Sequence, residues 1–243
     1  MPTTLRKKQT ILGIVSARSG SKSIPSKNIA LVAGKPLMAY TIEAALDAGC
    51  IDRLIVSTDS RAYANVACTF GAEVPFLRPA RLARDDTPGI EPVLHAVQWL
   101  EEHQNYRPDY VMLLQPPCPL RTAQDITRSV QLAQRHRAEA VVSVVSAPHH
   151  PYWIKSISQD GRMRDFLPSA EAFTRRQDLP PAYAENGAIF LVARGILLKQ
   201  RTFYPDRTYA YVMPPERSLD IDSPWDLHLA ELILGDRLKH GHD

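Results

Sequence analysis

Short apolar runs rich in β-branched residues recur along the chain, separated by stretches whose apolar positions fall every three or four residues. Ile11–Ala17 (ILGIVSA) is continuous rather than alternating, as expected of a strand buried on both faces of a parallel sheet. Pro36 then opens a helical pattern, LMAYTIEAALDA, which Gly49 closes. Ile51–Ser57 predicts a second strand ending at Thr58-Asp59, followed by a helix near Arg61–Phe70. Glu91–His103 carries Val93, Leu94, Val97 and Leu100 on one helical face. Tyr110–Gln115 predicts a third strand, which stops at the prolines of Pro116-Pro117-Cys118-Pro119. Thr122 can cap a helix reaching about Arg135, and Ala140–Val145 (AVVSVV) reads as a fourth strand. After Ala147 the rhythm breaks: His149–Pro181 holds four prolines and a possible hairpin at Asp160-Gly161, so it reads as an insertion. The pattern resumes at Gly187–Val192, and Ser223, Pro224 and Asp226 mark the start of a last helix.

Strand and helix in alternation predict an α/β fold with a mostly parallel sheet covered on both faces. Ligands of such sheets sit beyond the carboxyl ends of the strands. That directs attention to the polar segments 18–28, Thr58-Asp59 and 115–121.

Composition narrows the partners. With 44% hydrophobic and 23% charged residues, 243 residues suffice for one soluble α/β domain. A net charge of +3 without a basic face gives no reason to expect nucleic acid. The run Ile11–Ala17 is too short to span a membrane. Three cysteines without metal-type spacing suggest reduced thiols and a cytoplasmic protein.

Four segments carry candidate chemistry. Residues 17–28 (ARSGSKSIPSKN) follow a strand and combine Arg18, Lys22 and Lys27 with small residues, so backbone N–H groups and cations can meet an anion together. The segment has neither Walker A nor GxGxxG spacing, and its residues alone leave open a polyphosphate site or a solvated basic loop. Asp220 and Asp222 alternate in an extended segment, which places two carboxylates on one side, as Mg²⁺ requires; capping of the next helix would explain Asp222 equally well. Arg175 and Arg176, with Tyr183 nearby, could recognise a carboxylate or form an exposed turn. Gln115, at a strand's carboxyl end, can aim its amide at a ligand or cap the turn.

In order, ARSGSKSIPSKN (17–28), VSTDS (56–60), LLQPPCPLR (113–121), RRQDLP (175–180), ENGAIF (185–190) and LDID (219–222) resemble the CMP-sialic acid synthetase family of cytidylyltransferases. The resemblance implies a Rossmann-like, GT-A-like nucleotidyltransferase core over 1–147 and 183–243 with a small protruding dimerisation arm at 148–182. It implies CMP transfer from CTP to the C2 hydroxyl of a nine-carbon 2-keto sugar acid (a nonulosonic acid). By matching position, Arg18, Ser21, Lys22, Lys27, Asn28 and Arg78 would hold the nucleotide, and Arg18, Lys22, Lys27 and Asp222 would act in catalysis. Asp220 and Asp222 would bind Mg²⁺, while Gln115, Arg175, Arg176 and Tyr183 would face the sugar acid. The resemblance also implies a homodimer whose arm reaches the partner's site. Pro117-Cys118 stands where the family usually has Thr-Ser, and Asp85-Asp86-Thr87-Pro88-Gly89 lacks the family's usual serine. The alternatives are a 3-deoxy-manno-octulosonate cytidylyltransferase, against which Gln115-Pro116-Pro117 lacks the expected acid, and a silent nucleotide-binding subunit.

Overall fold

A computed structural model describes residues 9–167 and 175–240, excepting the side chain of Arg176. The strands are β1 (Ile11–Ser16), β2 (Leu31–Val32), β3 (Lys35–Pro36), β4 (Arg53–Ser57), β5 (Tyr110–Leu114), β6 (Ala140–Ser146), β7 (Lys155–Ile157), β8 (Met163–Asp165), β9 (Tyr183–Ala193) and β10 (Thr208–Met213). The helices are α1 (Leu37–Asp47), α2 (Arg61–Thr69), α3 (Glu91–Gln104), α4 (Ala123–His136), α5 (Arg194–Gln200) and α6 (Pro224–His240).

Six strands form the central sheet in the order β10-β6-β9-β5-β1-β4. Strand β1 pairs in parallel with β4 and β5, β10 pairs in parallel with β6, and β9 runs against both its neighbours. The sheet is mostly parallel, as its continuous apolar runs predict. Side-chain alternation divides each strand between two layers. Ile11 and Val15 pack under α1, α2 and α4, whereas Leu12 and Ile14 pack under α3 and α5. A third cluster seats α6 through Ala230 and Leu234 against Val32, Leu37 and the buried Ile221.

Both expected caps form. Thr122 Oγ1 accepts from Asp125 N (3.2 Å), and Asp125 Oδ2 accepts from Thr122 N (3.0 Å). Ser223 and Asp226 exchange the same pair of bonds at α6. Strand β9 starts earlier than its apolar run because Tyr183–Glu185 already pair with β6, across a bulge where the register shifts between Val142 and Val144. Between β6 and β9, β7 and β8 form a separate exposed hairpin that turns at Gly161.

Candidate active site

The carboxyl ends of β1, β4 and β5 open onto a cleft of about 520 Å³. Arg18, Ser21, Lys22, Lys27, Asn28, Arg78, Gln115 and Asp222 all line it. The segment 18–28 leaves β1 and folds back on itself. Asp59 at the end of β4 accepts from Ser19 N (2.9 Å) and Ser19 Oγ (2.7 Å). Asn28, buried, donates to the Arg18 carbonyl (3.0 Å) and so closes the turn. Burial works to raise the Asp59 pKa, but the bonds from Ser19 and the nearby Arg78 charge outweigh it and hold the carboxyl below its ordinary value. The turn is thus tied to the sheet by an ionised acid.

Arg78 is buried beneath the cleft, donating to Ser57 Oγ (3.1 Å), Ser16 Oγ (2.8 Å) and the Ser57 carbonyl. Lys27 crosses to the C-terminal segment, where its ammonium donates to the Ile221 carbonyl (2.6 Å) and lies 3.3 Å from Asp222 Oδ1. The cationic turn therefore meets the acid segment 194 residues on, with Asp222 lining the cleft and Asp220 behind it.

Between the two acids, Ile221 points into the core, so alternation leaves Asp220 and Asp222 toward the site. Asp222 is exposed, whereas Asp220 is half-buried beside Cys118 and Gly187. Burial, then the charge of Asp222, raises the Asp220 pKa. Two converging carboxylates carry the excess charge that a divalent cation relieves. Among the described residues, no cluster of three or more His, Cys, Asp or Glu could hold a metal. A divalent ion held by two carboxylates alone would need further oxygen ligands from outside the protein, as Mg²⁺ commonly takes from phosphates and water.

The floor of this corner is the β9 bulge. Gly187 sits at φ +68°, and a Cβ there would lie 3.2 Å from both Asp220 Oδ2 and Gln115 Oε1. Buried Asn186 holds the bulge: it accepts from Ser143 Oγ (2.6 Å) and donates to Ser218 Oγ (3.0 Å), just before the acids. The Cys118 thiol donates to the Asn186 carbonyl (3.1 Å), and burial pushes its pKa far up, so it is inert. The Pro117 carbonyl accepts from Ile221 N (3.0 Å), so the Gln115–Pro119 turn and the acid segment are fastened together.

Across Gly89, Leu113 and Gln115 the cleft continues into a hollow of about 340 Å³. Phe190, Phe203 and Tyr204 give it an aromatic wall, and Arg201 gives it a cation.

Two further expectations fall elsewhere. Arg175 pairs with Asp178 (2.7 Å) in an exposed turn, and Tyr183 stands half-exposed at the start of β9; neither lines the cleft of its own chain. The Arg176 side chain lies outside the described residues. Sequence reasoning passed over Asp85, which pairs with both Arg18 and Lys22, and the hollow's wall. The first is a pairing between distant segments that no local pattern marks. The second joins Phe190 of β9 to Phe203 and Tyr204 from the segment before β10, where no strand signal stood out.

Known proteins resemble this chain in sequence and in fold. The CMP-N,N'-diacetyllegionaminic acid synthase of Legionella pneumophila is 34% identical over 227 residues, covering 92% of this chain and 96% of that protein. An N-acylneuraminate cytidylyltransferase of Escherichia coli is 34% identical over 224 residues, covering 92% of this chain; the chain spans 52% of that longer protein. A solved structure of CMP:2-keto-3-deoxy-manno-octonic acid synthetase complexed with CTP superposes with a TM-score of 0.71, covering 94% of this chain and 99% of the other, at 15% identity, which speaks to fold alone. With residues 12–237 matching the family described as Cytidylyltransferase, the chain belongs to the cytidylyltransferases.

Proposed function

We propose that the chain transfers CMP from CTP to the C2 hydroxyl of a nonulosonic acid of the sialic, legionaminic or pseudaminic type. The observation that carries this is Lys27 binding Ile221 and Asp222, which places the phosphate-holding turn opposite the two carboxylates. Arg18, Ser21, Lys22 and Asn28 hold the nucleotide on one wall, with Arg78 beneath. The acceptor lies at Gln115 and extends into the aromatic hollow.

In the reaction the C2 hydroxyl oxygen forms a bond to the α-phosphorus. The bond from that phosphorus to the β-phosphate oxygen breaks in line, pyrophosphate departs, and the hydroxyl proton passes to solvent. Arg18, Lys22 and Lys27 offset charge growing on the leaving group, so catalysis is chiefly positioning and electrostatics. Asp220 and Asp222 would hold Mg²⁺, which when bound offsets phosphate charge and lowers the pKa of the attacking hydroxyl. The exposed β7–β8 hairpin, with Ile157, Met163 and nearby Phe166 bare, supports a homodimer in which Arg175 and Tyr183 face the partner's cleft. No described helix is long and apolar enough to cross a membrane.

Asp222→Asn tests the reading. Pyrophosphate release from CTP and a panel of nonulosonic acids should fall at least a hundredfold in Mg²⁺, while the melting temperature changes little because Asp222 is exposed. Full Mg²⁺-dependent release would contradict the role assigned to it. A silent nucleotide-binding subunit would instead bind CTP and release nothing in the unaltered chain.

A further inference from the structure

Besides Arg84, which shares a loop with Asp85, the cations that line the cleft fall into two classes. Arg78 is bonded to Ser16 and Ser57 beneath the floor, and Lys27 is bonded to Ile221, so both are fixed. Arg18 and Lys22 are instead gripped by one carboxylate from the opposite wall: Asp85 Oδ2 lies 2.6 Å from Lys22 Nζ, and Asp85 Oδ1 accepts from Arg18 Nη1. Each carboxylate oxygen takes a different cation, as two oxygens of one phosphate would. Asp85 sits on the loop that contributes Arg84, Thr87 and Gly89 to the cleft, and this loop is bonded to itself, Thr87 Oγ1 donating to the Arg81 carbonyl (3.1 Å). The carboxylate is thus presented from a defined place, and its partners remain accessible, Lys22 being 81% exposed. A phosphate chain entering the cleft must take these two cations from Asp85.

We infer that Asp85 is an internal anion that competes with the nucleotide's phosphates for Arg18 and Lys22 and, by reclaiming them, hastens the departure of pyrophosphate. The inference rests on reading the cleft as the CTP site. Several cations around a polyanion favour slow release, and product release often limits turnover. An acid that holds two of them whenever the anion slips lowers the affinity for pyrophosphate. It leaves the fixed pair, Arg78 and Lys27, to keep the remainder of the site in place.

The rival account makes Asp85 a brace that presets the turn, and the two differ in sign. Asp85→Asn and Asp85→Ser should each bind pyrophosphate and CTP about threefold to tenfold more tightly, the range set by two exposed ion pairs. The measurement is calorimetric titration of the whole chain at low ionic strength, with Mg²⁺ and without acceptor. Turnover should fall, product inhibition by pyrophosphate should deepen by the same factor, and the single-turnover rate should hold. In a Lys22→Ala background the Asp85→Asn effect should shrink. Equal or weaker binding by both Asp85 variants, each melting like the unaltered chain, would overturn the inference, and tighter binding with unchanged turnover would overturn its role in release. An unaltered chain that fails to bind CTP would overturn the reading of the cleft itself, and this inference with it.

Discussion

Gly187→Ala is the sharpest probe of how the site is assembled. The residue adopts φ +68°, which costs an L-residue with a Cβ about 1–2 kcal/mol. In a chain of this size that strain lowers the melting temperature by roughly 2–8 °C. The methyl would also stand 3.2 Å from Asp220 Oδ2, 3.2 Å from Gln115 Oε1 and 3.4 Å from Cys118 Sγ, so the carboxylate and the amide must both give way. Displacing a metal-binding carboxylate or its support typically costs about 10- to 100-fold in activity. Gly34→Ala supplies the control: φ is +79° there, but nothing lies within 4 Å of the added Cβ. Both variants should lose comparable stability by thermal scanning. Only Gly187→Ala should lose pyrophosphate release at saturating CTP and acceptor, with a raised requirement for Mg²⁺. Equal activity in the two variants would refute the claim that the bulge sets the positions of Asp220 and Gln115.

Asp125 supplies a pH prediction. It is fully buried and accepts from Arg217 twice (2.9 Å each), from Tyr211 (2.9 Å) and from Thr122. Burial works to raise its pKa, but these bonds outweigh it, so the folded value lies below the ordinary one. Its stabilisation is therefore complete above the unfolded pKa of about 3.9 and is lost as pH falls through the folded value. Asp125→Asn should cost about 1.5–3 kcal/mol near neutrality. The gap in melting temperature between the two proteins should close on acidification below about pH 4; a gap that persists would count against the ionised pair. Thiol chemistry gives a separate check: Cys68 is exposed and should be alkylated in the native protein, whereas buried Cys118 should react only on unfolding, as peptide mapping will show. Native labelling of Cys118 would mean that the floor beneath Asp220 opens.

Much of this was legible before any coordinates, for physical reasons. Strands β1 and β5 are continuous apolar runs because both faces are covered, and α4 and α6 announce themselves through capping boxes. The turn at 18–28 and the acids at 220 and 222 stood out because each packs several charged groups into a few residues. The direction of β9 was hidden, since an apolar run reads the same either way. Near its start, Glu185 and Asn186 look like loop until Ser143 and Ser218 are seen to satisfy the asparagine. Strand β10 pairs only with β6 at the sheet's edge and alternates with exposed positions, so TYAYVM lacks the density of a central strand. Asp85 was passed over because its meaning lies in partners more than sixty residues away.

The buried arginines bear on the proposal that the site takes an anion. Arg78 and Arg121 are both buried, and burial pushes each guanidinium pKa down to about 10. Among the described residues neither forms a salt bridge, although the charges of Asp59 and Asp125 lie near Arg78 and Arg121 in turn: Arg121 donates to the carbonyls of Ala188 (2.7 Å) and Gln115 (3.3 Å) and to Thr41 Oγ1 (2.6 Å), and Arg78 to serine oxygens and a carbonyl. A desolvated cation with neutral partners costs stability, so each must serve something else. Arg121 is sealed in the core, and its bonds join the Gln115 turn to the Gly187 bulge, so its cost secures the geometry of the acid corner. Arg78 lines the cleft, where the charge of Asp59 offsets only part of its burial cost. Under the proposed function, a nucleotide phosphate above it would offset more, so that binding would stabilise the fold and add to the affinity supplied by the turn's own cations.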